Sequence, residues 1–115
     1  MANNPVAFFE IGCKDGGAAS EFFSELFGWQ IGAPSPAREI ATGGAADLPG
    51  HLMELAEEWG TYVTVYVQVD HLETYLAKVE ALGGRTLVPP VELPGGGRFA
   101  WFAAPEGNVL GLWQQ

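Results

Sequence analysis

Glu10 stands in the run Phe8-Phe9-Glu10-Ile11-Gly12, an acid among apolar and aromatic neighbours, and is the side chain best suited to chemistry. A carboxylate in such a setting is paired with a cation, is kept protonated by desolvation, or awaits a cationic or hydrogen-bonding ligand. Arg38 and Arg98 are the expected cationic partners, and the same carboxyl group can serve as a general acid or base. His51 and His71 are isolated in sequence and read as structural or solvated, because a histidine needs a partner to act as ligand or base. Cys13, the one cysteine, reads as a small packing residue; it permits no internal disulfide and no thiolate cage for zinc. The segment Pro94-Gly95-Gly96-Gly97 lacks the Lys and Ser/Thr of a phosphate loop and does not lead into a helix, so phosphate binding is not expected there.

These side chains must be positioned by elements, and the elements come in two similar sets. An offset of 56 residues lays Phe8-Phe9-Glu10-Ile11 over Thr64-Val65-Tyr66-Val67, Asp15 over His71, Phe23 over Val79 and Gly28 over Gly84. Each half reads as a strand, a helix closed by glycine, and further strands. In the second half, Tyr62 to Val69 alternate, with Val63, Val65, Val67 and Val69 expected under a helix and Thr64, Tyr66 and Gln68 on the other face. Asp70 and Glu73 read as a capping box for a helix through Leu72, Tyr75, Leu76, Val79 and Leu82. In the first half, Asp15 caps a helix through Ala18, Ala19, Phe22, Phe23, Leu26 and Phe27. Phe9 and Ile11 then face that helix, and Phe8, Glu10 and Gly12 face away. Strands near Arg38 to Thr42 and His51 to Leu55, from Arg85 to Val88 before a Pro89-Pro90 turn, from Arg98 to Ala103 and from Val109 to Trp113 complete the pattern.

Composition narrows the function classes. At 115 residues the chain is expected to be a single domain, with one module over about residues 5–58 and a second over about 61–115. A hydrophobic share of 48% and an aromatic share of 12% exclude intrinsic disorder, and the apolar runs are too short for a membrane span. The formal net charge of −9 would repel phosphate backbones and anionic lipid, so neither nucleic acid nor membrane is an expected partner. The start, Met1-Ala2-Asn3-Asn4-Pro5, resembles no signal peptide, and a cytoplasmic location is expected.

The order and spacing of Phe22-Phe23-Ser24-Glu25-Leu26-Phe27-Gly28-Trp29, Tyr66-Val67-Gln68-Val69-Asp70, Leu76 to Gly84, Gly97-Arg98-Phe99 and Pro105 to Trp113 resemble the vicinal oxygen chelate superfamily of glyoxalase I, bleomycin resistance proteins and extradiol dioxygenases. The resemblance implies an α+β fold of two βαβββ modules whose mixed sheet curls into a cup with the helices outside. Family enzymes commonly hold a divalent metal in that cup. Carried over residue by residue, the metal-ligand positions fall on Phe8, Thr64 and Gly111, with the fourth between about Ala45 and Leu55, where His51 or Glu54 is the available donor. A catalytic ion usually needs three protein ligands, so no metal and no other cofactor is expected.

Strand parity lines the cup with Phe8, Glu10, Thr64, Tyr66, Gln68, Trp101, Val109 and Trp113, with Phe99 near its rim. An aromatic pocket with a few polar handles suits a small organic ligand, and the acidic balance favours a cationic one. The leading expectation is a metal-independent small-molecule binding protein of the bleomycin resistance type. The alternatives are a glyoxalase-like lyase or isomerase using Glu10 as its catalytic acid or base, and an accessory dimer without a small ligand. A homodimer is expected from the family resemblance and from the aromatic count of four Trp and seven Phe.

Overall fold

The chain alternates strand and helix in the order β1 (Val6–Cys13), α1 (Gly16–Phe27), β2 (Gln30–Ile31), β3 (Arg38–Ala41), β4 (Gly50–Glu54), β5 (Tyr62–Gln68), α2 (Leu72–Ala81), β6 (Arg85–Glu92), β7 (Arg98–Ala103) and β8 (Val109–Gln114). This is an α+β fold with the βαβββ order occurring twice. The coordinates are a computed structural model that describes residues 4–35, 37–44, 48–56 and 60–115. The expected end of the first module near residue 58, the start Met1-Ala2-Asn3 and part of the Ala45 to Leu55 segment lie outside the described residues. By its contacts the chain forms two units, one spanning Phe8–Thr64 and the other Val65–Gln115 together with the residues up to Ala7.

In the first unit the strand order is β2-β3-β4-β1, with β1 parallel to β4 and the other pairs antiparallel. Alternation along β1 sends Phe9, Ile11 and Cys13 to one face, where they meet Ile40, Leu52 and Ala19 of α1 in a core completed by Trp29 and Ile31. Asp15 caps α1 as expected, its Oδ1 accepting the Ala18 N–H at 3.0 Å. The helix ends at Gly28 with φ of 74°, a left-handed turn that glycine adopts without a Cβ clash. The outward side of α1 leaves Phe22, Leu26 and Phe27 exposed.

In the second unit the order is β5-β8-β7-β6, with β5 parallel to β8. Val69, Leu72, Leu76, Ala100 and Leu112 form its core, with Val67, Tyr75 and Phe102 packed against them. Two local expectations are corrected here. Val63, which belongs to the stretch Phe8–Thr64, is 74% exposed rather than covered, and the valines that reach the core around Leu72 and Leu76 are Val67 and Val69. The N-cap of α2 is His71 with no side-chain cap bond, so the Asp70 capping box does not form. Instead Gln114 of β8 accepts the Leu72 N–H at 2.9 Å, and Glu73 turns to Arg98.

Pro89 and Pro90 do not make the expected turn, since β6 runs through both. The strand is the last in its order, where a missing N–H need not face a partner, and register shifts between Thr86 and Val91 absorb the interruption. Among the described residues no helix is long and apolar enough to cross a membrane.

Candidate functional site

Each unit presents one sheet face without a helix over it, and the expected site residues divide between those faces. In the first unit the face carries Phe8, Glu10 and Thr64; in the second it carries Tyr66, Gln68, Phe99, Trp101 and Trp113.

Glu10 is 7% exposed, and its Oε2 accepts a very short hydrogen bond from the Tyr62 hydroxyl. The arginines named above as partners are engaged elsewhere. Arg38 lies level with Leu52, on the α1 side of the sheet, and its Nη1 points to the Gly32 carbonyl at 3.5 Å. Arg98 donates to Glu73 and to Gln114, and its Nε lies 3.1 Å from Glu92 Oε2, an ion pair whose angle falls short of a hydrogen bond. That guanidinium holds the Glu73 carboxyl down to about 2. Tyr62 reaches Glu10 because Gly12 is bare; a Cβ there would run into the tyrosine ring.

His51 joins this face, a placement that its isolation in sequence concealed. It lies level with Glu10 across the β1–β4 pair and level with Glu39 across β3–β4, and its ring meets Phe8 with centroids 4.6 Å apart. The usable signal was parity: once Leu52 is assigned to the core, His51 must face the other way. Glu54 goes to the opposite side, where its Oε1 accepts the Gly16 N–H at 2.7 Å at the start of α1. Cys13 is buried, and burial, with Glu54 adding to it, pushes its thiol up, so it remains a packing residue rather than a nucleophile.

On the second unit's face, Tyr66 is 4% exposed and seated on Gly111, where any Cβ would strike its ring. Its hydroxyl accepts the Trp101 Nε1–H at 2.7 Å, and the Phe99 and Trp101 rings stand edge-on to it at 6.2 and 6.5 Å. Trp113 is half-buried beside them on β8, level with Phe99. Gln68 is exposed and uses its backbone, its N–H going to the Pro5 carbonyl and its own carbonyl accepting from Asn4. An open cleft of about 570 Å³ along the β2–β3 hairpin, lined by Gln30, Ile31, Glu39 and Pro49, includes none of the expected site residues.

The divalent metal common in the resembling family does not fit this donor set. Phe8 and Gly111 offer no ligand atom, and the space a longer residue at position 111 would need is filled by the Tyr66 ring. Among the described residues no group of three or more His, Cys, Asp or Glu is arranged to hold a metal ion.

Comparison with known proteins bears on what such faces are for. A family model described as a glyoxalase-like domain matches residues 7–112. The chain is 26% identical to the anthracycline biosynthesis protein DnrV of Streptomyces peucetius, over all of this chain and 48% of that protein. It is 30% identical to CFP32 of Mycobacterium bovis, which carries a provisional glyoxylase name, over 87% of this chain and 41% of that one. The chain thus spans about half the length of the curated relatives it matches. Among solved structures, the hypothetical protein BH1468 of Bacillus halodurans superposes with a TM-score of 0.74 at 16% identity, over 99% of this chain and 96% of that one. Methylmalonyl-CoA epimerase of Mycobacterium tuberculosis superposes with a TM-score of 0.66 at 17% identity, over 99% and 91%. At those identities the likeness is one of fold.

Proposed function

The chain belongs to the glyoxalase-like domain family, within the vicinal oxygen chelate superfamily, and from that premise we propose that it is a metal-independent binding protein for a small aromatic or cationic molecule. The observation that carries this reading is the aromatic face of the second unit. Tyr66 is locked by Gly111 beneath it and by the Trp101 N–H, so Phe99 and Trp101 stand edge-on to a fixed ring rather than a mobile one, with Trp113 level with Phe99 on the next strand. Preorganised aromatic surface contributes binding area at little entropic cost. The relative named for anthracycline biosynthesis suits such a wall, since anthracyclines are fused-ring molecules. Titrating the protein with planar aromatic compounds while following tryptophan fluorescence and Trp101 indole NMR signals tests it. Saturable shifts at Trp101 and Phe99 are expected; silence at both across the panel overturns the reading.

Glu10 supports a second reading, a glyoxalase-like lyase or isomerase, because a buried carboxylate hydrogen-bonded to a phenol is a competent proton acceptor. Turnover that is lost in Glu10→Gln while folding is retained would establish it. The exposed Phe22, Leu26 and Phe27 of α1 support a homodimer, which a purely monomeric sedimentation profile would refute.

A further inference from the structure

We infer that the open cleft along the β2–β3 hairpin binds a planar nitrogen cation, an aryl amidinium or guanidinium, with the Glu39 carboxylate as its counter-ion. The site belongs to the first unit and does not depend on the reading of the second unit's aromatic face. The cleft follows from parity and from side-chain size. Ile31, Ile40 and Leu52 are committed to the core under α1, so Gln30 and Gly32 on one side of the hairpin and Glu39 and Ala41 on the other take the opposite face. Gly32 keeps the register, its N–H donating to the Glu39 carbonyl at 3.0 Å. Gly32 and Ala41 carry nothing larger than a methyl, and the hollow of about 570 Å³ is bordered by Gln30, Glu39 and Pro49. A Cβ on Gly32 would meet nothing nearer than the Glu39 carbonyl at 4.0 Å, so the space over this floor is open.

The lining sets the ligand class. Glu39 is its one charged side chain among the described residues, and there its carboxylate takes part in no ion pair or hydrogen bond. Arg38, next to it in sequence, lies level with Leu52 and points to the Gly32 carbonyl, while the ring of His51, level with Glu39 on β4, lies against Phe8. Gln30, level with Ala41 and so diagonal to Glu39, adds a neutral acceptor on the same face. A carboxylate takes a planar N–H fork through two parallel hydrogen bonds, and a floor of glycine and alanine lets a flat ring approach the backbone closely. A neutral ring of the same shape gains only the contact area. An anion is repelled by Glu39 and by the chain's net charge of −9.

The test titrates the full chain with benzamidine and with benzamide, its neutral analogue of nearly the same shape, following backbone amide signals by NMR. Benzamidine is expected to shift Gly32, Glu39 and Ala41 and to bind about fivefold more tightly than benzamide, a modest preference because Glu39 is exposed to water. Added salt should reduce that preference. Glu39→Gln, an exposed change at nearly constant volume, should remove it, which separates the site from general attraction of a cation to an acidic chain. Gly32→Leu, projecting into the open space over the floor, should abolish the response of Glu39 and Ala41 to both compounds. If Gly32→Leu does not fold, the Glu39→Gln comparison still decides the matter. Equal binding of the two compounds, a preference that survives Glu39→Gln, or undiminished binding in folded Gly32→Leu overturns the inference. Silence at these amides overturns it too, and a response confined to Trp101 does so while leaving the aromatic-face reading in place.

Discussion

In the first unit α1 starts on a cap of its own segment, Asp15 accepting the Ala18 N–H, together with Glu54 of β4 accepting the Gly16 N–H, whereas α2 of the second unit starts on His71 with no side-chain cap of its own and takes an acceptor from Gln114 on β8. Their packing differs as well. The buried side chains of α2 are Leu72 and Leu76, while in α1 only Gly16 is fully buried and Phe22, Leu26 and Phe27 stay in solvent. Both helix starts thus draw on a distant strand, α1 with a local cap in addition, and an apolar stripe ties α2 to its sheet. The free faces differ in parallel. Each rests on a tyrosine lying over a bare glycine, Tyr62 on Gly12 and Tyr66 on Gly111. One tyrosine hydroxyl donates to a carboxylate and the other accepts from an indole, so the same steric device yields a charged face in one unit and an apolar one in the other.

Removing the largest fully buried side chain of each core gives the strongest test of this contrast. Leu52→Ala and Leu72→Ala should each lower stability by about 2 to 5 kcal/mol in denaturant titration. Hydrogen exchange should accelerate around β3 and β4 for Leu52→Ala and around β7 and β8 for Leu72→Ala. The same loss of protection in both variants would dissolve the distinction between the two cores.

Filling the glycine seats is next in size. Gly111→Ala forces the Tyr66 ring off its position and should cost about 1 to 3 kcal/mol, with the Trp101 indole signal moving as its bond to Tyr66 is disturbed. Gly12→Ala should cost a similar amount but move the Tyr62 ring instead. An unshifted Trp101 signal in Gly111→Ala would show that the ring has another way to seat.

The caps separate the helices at smaller cost. Asp15→Ala should destabilise by about 1 kcal/mol, while Asp70→Ala should stay within about 0.5 kcal/mol, since Asp70 does not cap α2. Thermal or denaturant midpoints with the reverse order would break the comparison of the two helix starts.

The smallest effect is a pH dependence confined to the second unit. The Arg98 hydrogen bond lowers Glu73 from 4.5 to about 2, so the folded form binds this proton less readily than the unfolded one. Its stabilisation is complete above the unfolded value and is lost as pH falls through 4.5 towards 2. Because the pair is on the surface, salt should weaken it, and Glu73→Gln should flatten this part of the pH–stability curve only slightly. A steeper acid loss in Glu73→Gln than in the original chain would contradict the assignment.

The sequence by itself determined the two βαβββ runs, the capping of α1 by Asp15, the strand over Arg98–Ala103 and the parity that puts Phe8 and Glu10 away from the α1 core. These rest on periodicity and on contacts a few residues apart, which local order preserves. Tertiary structure alone decided who meets whom. Glu10 meets Tyr62 from 52 positions away, Gln114 caps α2 from 42 away, and Glu54 reaches the start of α1 from 38 away. Pro89 and Pro90 read locally as a turn, yet they lie within a strand because that strand sits at the end of its order. His51 looked isolated because its neighbour Phe8 lies on another strand. Partners in a sheet are set by register between distant segments, and a residue's own neighbourhood in the chain carries no record of that register.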